Sequence, residues 1–249
     1  MTRTAVVSGA GSGIGRAVAL ALAADCRTVV VLGRRRPPLE ETARAVAEAA
    51  PGTHVEVVTA DLREPDAVRA AAARVEAVAE AVDVLVNNAG GNFAPGAHAD
   101  LDAVRESWRV NVEGNVLPAV LLTHALLDRL RRPGGRVVTV GSIAAFRGPA
   151  SYGGAKAALH AWSAELATSL AGEGVTVNVV APGFVDGTEF YGDRAGPELR
   201  ADRARRTPAG RMGRPEEIAG LVRYLAGEDA GFVTGQILQA NGGALLGRG

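Results

Sequence analysis

The chain has 249 residues, 47% of them hydrophobic, enough to bury a large core and too apolar for a disordered polymer. Lys plus Arg and Asp plus Glu are 27 each and the net charge is zero, which speaks against nucleic acid or an anionic membrane as the main partner. The one cysteine, Cys26, excludes an intrachain disulfide and points to a reducing compartment. With no charged-then-apolar leader and no apolar run near ~18 residues, the expectation is a cytoplasmic protein without a membrane span.

The elements alternate along the chain. A strand is expected at 4–8 (TAVVS), then a glycine run and a helix over 13–25. A strand at 28–33 precedes a helix over 38–50, and a strand at 54–60 precedes a helix over 65–80. The pattern continues with a strand at 82–87 and a helical stretch over 102–131, then a strand at 136–142 and a helix over 152–171. A strand at 175–181 leads into an irregular stretch over 183–212, a helix over 215–227 and a last strand at 236–240. Several strands are apolar almost throughout, as in a parallel sheet buried on both faces. Pro38, Pro65 and Pro215 sit near helix starts, where a missing N–H does no harm. Such alternation implies an α/β fold: a doubly wound parallel sheet of about seven strands, helices on both faces, in one domain over 1–249.

Between the first strand and first helix lies "SGAGSGIG". Glycines there let the backbone turn sharply and approach a pyrophosphate, held against the helix N-terminus. Gly9, Ser12, Gly13, Ile14 and Gly15 are the candidate contacts. A carboxylate roughly 20 residues on would bind the ribose 2′-hydroxyl of NAD. That place reads "GRRR" (33–36), and Arg34 suits a 2′-phosphate, so NADP(H) is favoured over NAD(H). Asp61 and Leu62, after the third strand, belong at the adenine edge. Asn88, Ala89 and Gly90 of "NNAG" (87–90) belong on the adenosine side.

Of the 27 cationic residues, 26 are arginine; the one lysine is Lys156, four residues after Tyr152 and on the same helical face. A tyrosine hydroxyl titrates near pH 10, and bringing it to ~7 takes about three units, or ~4 kcal/mol. An ammonium ~4 Å away supplies about that at an effective dielectric near 20. A slim stem with three donors can also reach a ribose hydroxyl, which a planar guanidinium does less well.

These motifs together resemble the short-chain dehydrogenase/reductase family in its compact, single-domain branch. "SGAGSGIG" is similar to its Thr-Gly-x-x-x-Gly-x-Gly, with Ser8 for Thr, and "NNAG" matches as it stands. Asn111 in "RVNVEG", Ser142 in "VGSIAA", Tyr152 and Lys156 match its catalytic Asn, Ser, Tyr and Lys. "APG" (181–183) and "RMGRPEEIA…VTGQILQANGG" (211–243) match its C-terminal third. The resemblance implies that Ser142 holds a substrate carbonyl oxygen and Tyr152 gives or takes the proton. It implies that Lys156 tunes Tyr152 and binds the ribose, and that Asn111 holds a water linking Lys156 to solvent. Pro182, Gly183, Val185 and Thr188 become cofactor contacts. Two departures stand out: Ser142 and Tyr152 are only ten residues apart, closer than the family usually places them, and Thr188 falls one place late, with Gly187 before it.

The segment 184–212 is expected to cover the site, with Phe184, Phe190, Tyr191, Phe93 and Phe146 as apolar contacts and Arg200 to Arg206 as a solvated surface. The substrate class is a small carbonyl compound or alcohol. The alternative is a ketoacyl group on an acidic carrier protein, docked on Arg129, Arg131 and Arg132, although Glu173 stands where such reductases tend to carry arginine. A non-catalytic dinucleotide sensor need not keep Ser, Tyr and Lys together. His54, His98, His124 and His160 show no metal-ligand spacing. The family's packing implies a homotetramer, with Trp108 and Trp162 on the helices concerned.

Overall fold

The computed structural model describes residues 3–93, 100–148, 150–190 and 196–247. Its seven strands are β1 (Thr4–Ser8), β2 (Thr28–Gly33), β3 (His54–Thr59), β4 (Val84–Asn87), β5 (Arg136–Val140), β6 (Thr176–Pro182) and β7 (Ile237–Ala240). They form one sheet in the order β3-β2-β1-β4-β5-β6-β7, and every neighbouring pair is parallel. The helices are α1 (Gly13–Ala23), α2 (Arg36–Ala49), α3 (Pro65–Val78), α4 (Leu101–Asn115), α5 (Leu117–Leu126), α6 (Ala144–Arg147), α7 (Ala150–Leu170), α8 (Pro197–Arg205) and α9 (Pro215–Ala226).

The apolar strands are explained by what covers them. Ala5, Val7, Val29, Val31, Val84 and Val86 pack under α1, α2 and α9. Val6, Val30, Leu32, Leu85, Val137 and Val177 pack under α3, α5 and α7. Both sheet faces are therefore dry, and alternation with polar residues has no place in the central strands. The chain winds outward from β1 to β3, then returns beside β1 with β4. This reversal opens a crevice at the carboxyl ends of β1 and β4, where doubly wound sheets bind ligands.

The structure departs from the sequence reading in four places. The stretch over 102–131 is not one helix: it breaks at Val116, because Pro118 has no N–H to offer the carbonyl four residues back. Leu101–Arg129 has the length and mean hydropathy of a membrane span, but Asn111, Leu122 and Leu126 lie in the interior of the fold. The segment 183–212 is not wholly irregular, since α8 forms within it. None of its residues is fully buried, so no apolar periodicity marked it. The strand expected over 136–142 ends at Val140, and that over 82–87 begins at Val84, with Val82 making only an isolated bridge to Leu130.

Candidate active site

A cleft of about 1140 Å³ runs along the carboxyl ends of the strands. Typical small-molecule sites hold about 300–1,000 Å³, so a dinucleotide and a second reactant both fit. Its floor is the loop from β1 to α1. Gly9 and Gly13 have φ of +65° and +51°, left-handed backbone that favours glycine. A Cβ on Gly9 would meet Asn88 Nδ2 at 2.8 Å, and one on Gly13 would meet Thr188 Cγ2 at 3.2 Å. Ser12 at the N-cap of α1 makes no side-chain cap and the first turn holds no acid, which leaves the helix N-terminus suited to a phosphate. The residues present therefore fit a dinucleotide.

Ser8 fixes the glycine loop to "NNAG". Its Oγ accepts from the N–H groups of Asn88 (2.9 Å) and Ala89 (3.1 Å) and donates to the Val86 carbonyl (3.3 Å). Asn88 Nδ2 answers by donating to the carbonyls of Ser8 (3.0 Å) and Gly9 (3.1 Å). Gly15 makes the closest approach within this loop: a Cβ there would lie 2.1 Å from the Gly9 carbonyl oxygen. It packs beneath the loop and does not line the cleft, so its part is packing rather than contact.

At the adenosine end the cleft is lined by Arg34, Arg35, Asp61, Leu62 and Arg63. Asp61 is held by Arg63, whose Nε and Nη2 donate to its two oxygens at 2.9 and 2.5 Å; that bond holds the Asp61 carboxyl below its usual range. Arg35 donates to Glu189 at 2.5 Å, an ion pair that joins the end of β2 to the segment after β6 across the cleft.

At the other end Ser142, Tyr152 and Lys156 line one wall, near Pro182, Gly183, Val185 and Thr188. Ser142 lies two residues beyond β5, and its Oγ accepts from Ala144 N at 3.0 Å. Tyr152 and Lys156 come from the first two turns of α7. Lys156 Nζ donates to the Val140 carbonyl at 3.0 Å and lies 6.0 Å from the centroid of the Tyr152 ring. Burial pushes Lys156 down to about 8, so the ammonium persists at neutral pH. The phenol, the hydroxyl and the cation thus face a common cleft. Thr188 reaches that cleft despite its shifted place in the sequence.

Asn111 does not line it. It is fully buried, and its Nδ2 donates to the Ser107 carbonyl (2.9 Å) and Ser151 Oγ (3.2 Å), while Oδ1 accepts from Phe93 N (3.3 Å). Its carbonyl accepts from Asn115 Nδ2 at 2.9 Å. Asn115 also exchanges two bonds with Gly91, N–H to Oδ1 at 3.0 Å and Nδ2 to the carbonyl at 2.8 Å. Gly90 lies between Asn115 and Lys156: a Cβ on it would sit 2.6 Å from Asn115 Oδ1 and 3.3 Å from Lys156 Nζ. An asparagine one helical turn after Asn111 was the available signal for Asn115.

Two other expectations shift. Phe146 turns its ring toward His160 (5.1 Å between centroids) and does not line the cleft, whereas Phe93, Phe184 and Phe190 do. Tyr191 falls outside the described residues. Arg200, Arg205 and Arg206 are exposed as expected, although Arg206 also borders the cleft, whereas Arg203 is only partly exposed and lines it. His160, one turn beyond Lys156, is nearly buried with Nε2 lacking a hydrogen-bond partner. Burial, and then the charge of Lys156, push it down to about 4. Among the described residues no three His, Cys, Asp or Glu side chains gather as a metal site would need.

This fold and cleft define a dinucleotide-binding α/β protein of the Rossmann type, and the comparisons narrow it. The family described as Enoyl-(Acyl carrier protein) reductase matches residues 9–244. The chain is 34% identical over 250 residues to a 3-oxoacyl-[acyl-carrier-protein] reductase of Escherichia coli, covering 98% of each. It is 37% identical over 245 residues to the cis-4-hydroxycyclohexanecarboxylate dehydrogenase of Sinomonas cyclohexanicum, covering 97% of this chain and 96% of that one. A crystal structure of a putative NAD(P) dependent gluconate 5-dehydrogenase from Beutenbergia cavernae, with bound NADP at low occupancy, superposes with a TM-score of 0.85 at 36% identity, covering 97% and 96% of the two chains. The chain belongs to the short-chain dehydrogenase/reductase family of oxidoreductases acting on CH–OH groups.

Proposed function

We propose that this chain is an NADP(H)-dependent oxidoreductase interconverting a ketone and a secondary alcohol, with Tyr152 as acid and base. The observation that carries the reading is that Tyr152, Ser142 and Lys156 open onto one cleft continuous with the glycine loop. A bound nicotinamide dinucleotide supplies the hydride. Ser142 orients the substrate oxygen, and Tyr152 donates its hydroxyl proton to that oxygen in reduction or takes it back in oxidation. Lys156, held by the Val140 carbonyl, supplies the positive charge that favours the phenolate. Asn111 acts at one remove: with Ser107, Ser151 and Asn115 it holds the Gly91–Phe93 loop beside Lys156. Arg34 and Arg35 support NADP(H) over NAD(H), and NADP is bound in the Beutenbergia cavernae structure.

The segment 184–212 forms the cover of the site, and a free substrate is favoured over a carrier-linked one. Arg129, Arg131 and Arg132 precede β5, at the end of the sheet opposite the cleft. They are committed to Glu76 (3.2 Å), Asp83 (2.5 Å) and Glu173. A homotetramer is part of this reading, supported by exposed Leu101, Trp108 and Val112 on α4 and exposed Phe232, Ile237 and Leu246 toward the β7 edge; a monomeric mass by light scattering contradicts it. A cytoplasmic location is supported by the lone, buried Cys26, whose thiol burial pushes up to about 11.

The test is Tyr152→Phe. It keeps NADPH binding and loses turnover across a panel of carbonyl compounds followed by NADPH absorbance. Retained turnover refutes the acid–base role, and a higher kcat/KM with NADH than NADPH refutes the cofactor choice.

A further inference from the structure

Seven cationic side chains line the cleft against two carboxylates, Asp61 and Glu189. Both carboxylates lie at the adenosine end, tied to Arg63 and Arg35. A 2′-phosphate accounts for Arg34 and Arg35, the N-terminus of α1 for a pyrophosphate, and Lys156 belongs to the reacting centre. Arg147, Arg203 and Arg206 remain, all at the substrate end.

Arg147 closes α6, five residues after Ser142, and its side chain has neither ion pair nor hydrogen bond among the described residues. In α8 and at its C-cap, Arg203 and Arg206 line the same cleft and share Asp202 with Arg205, so one carboxylate serves three guanidinium groups at 3.4, 3.0 and 3.8 Å. Arg203 stacks on the Phe184 ring at 4.7 Å, and its Nε is buried without a partner. A charged donor taken from water without an acceptor is costly, and an anionic ligand removes that cost. Between these arginines and Tyr152 the lining is apolar: Ile143, Leu199, Phe93 and Phe190, the last 5.4 Å from the Tyr152 ring.

We propose that Arg147 and Arg203 form a carboxylate subsite, and that the substrate is an oxo- or hydroxycarboxylate whose acid group is separated from the reacting carbon by an apolar body. The identity of the reacting end rests on the function proposed above; the subsite does not. A neutral polyol brings no charge to the Arg147 guanidinium or to the buried Arg203 Nε and finds few partners along Ile143, Leu199 and the two phenylalanines.

The probes are cyclohexanecarboxylate and its methyl ester, which share an apolar ring, differ in charge and have no group to react. Calorimetric titration into the full chain, with and without NADP⁺, is expected to give the acid at least tenfold tighter binding than the ester. Losing one charge-assisted hydrogen bond is worth about 10- to 100-fold. Arg147→Gln and Arg203→Gln are therefore each expected to lower the acid-to-ester preference by that factor, with unchanged thermal midpoints as the check on folding. Equal binding of acid and ester to the unaltered chain, or a preference that neither variant moves, overturns the subsite. Turnover plays no part in this readout. A carbonyl panel that never oxidises NADPH removes the oxidoreductase reading and leaves the subsite standing, whereas equal dissociation constants do the reverse.

Discussion

Lys156→Met separates what this residue costs the fold from what it gives the chemistry. Burial lowers Lys156 from its ordinary 10.5 to about 8. Between those values the unfolded chain holds a proton that the folded chain has released, so stability of the unaltered protein rises with pH across that window. Below it the full penalty stands, about 2.5 units, or on the order of 3 kcal/mol. Methionine removes that penalty but gives up the bond to the Val140 carbonyl, about 1 kcal/mol. The variant is therefore expected to be more stable by about 2 kcal/mol at pH 7. This advantage shrinks from pH 8 upward and reverses to a deficit of about 1 kcal/mol near pH 10.5. Urea unfolding of both proteins at pH 7, 8.5 and 10 measures it, and because other titrating groups are common to the two chains, the difference isolates Lys156. Turnover is expected to fall by about 10²- to 10⁴-fold at the same time. A stability difference that is flat with pH, or a variant less stable at pH 7, refutes the reasoning.

His160 carries the opposite edge of the pH range. Held near 4 in the fold against 6.5 unfolded, it takes stability away as pH falls through that interval, about 2 kcal/mol between pH 7 and 5; His160→Leu should abolish this loss in paired urea titrations at the two pH values. Gly15→Ala puts a Cβ 2.1 Å from the Gly9 carbonyl oxygen and 2.5 Å from Asn88 Nδ2. It is expected to cost about 1–3 kcal/mol and to erase the thermal shift that NADPH gives the unaltered chain. Glu189→Gln frees Arg35 for a 2′-phosphate. Because the pair is exposed, NADPH binding should tighten by no more than about fivefold while NADH binding stays the same, measured as dissociation constants at one salt concentration.

What the sequence made legible, it did through patterns with one physical meaning. Valine runs such as "TVVVLG" are nearly obligatory where a strand has helices on both faces, and all seven strands fell within a few residues of their expected places. The glycine loop was legible because left-handed backbone at Gly9 and Gly13 leaves little choice of residue. Tyr152 and Lys156 were legible by helical spacing, and the lysine by its singularity. The rest depended on distances between chain segments that no local pattern records. Asn111 was assigned a water-holding part by resemblance alone; its side chain is buried and spends its donors on Ser107 and Ser151, an arrangement no spacing in the sequence records. The arginines of α8 read as a solvated surface because each is charged, and Arg200 and Arg205 are exposed, yet Arg203 turns its Nε inward at the cleft.

The short span from Ser142 to Tyr152 shows how a departure from the family's pattern is absorbed. Only Ile143, α6, residues 148–149 and the first residues of α7 lie between them, so the chain passes from α6 to α7 within two residues. Two glycines permit it: a Cβ on Gly148 would meet Ala144 Cβ at 2.4 Å, and one on Gly153 would meet the Ala144 carbonyl oxygen at 2.6 Å. Backbone thus lies against backbone where a longer connection would have interposed side chains. Ser142 and Tyr152 still open onto the same cleft, so the shortening takes nothing from the reacting groups. It takes from the wall above them. With that wall reduced to one turn, Phe146 turns one side of its half-exposed ring toward His160 and Arg147 is left exposed at the rim. The same deletion that spares the chemistry therefore sets the charge at the mouth of the substrate pocket, and places reaction and selectivity on opposite ends of a four-residue helix.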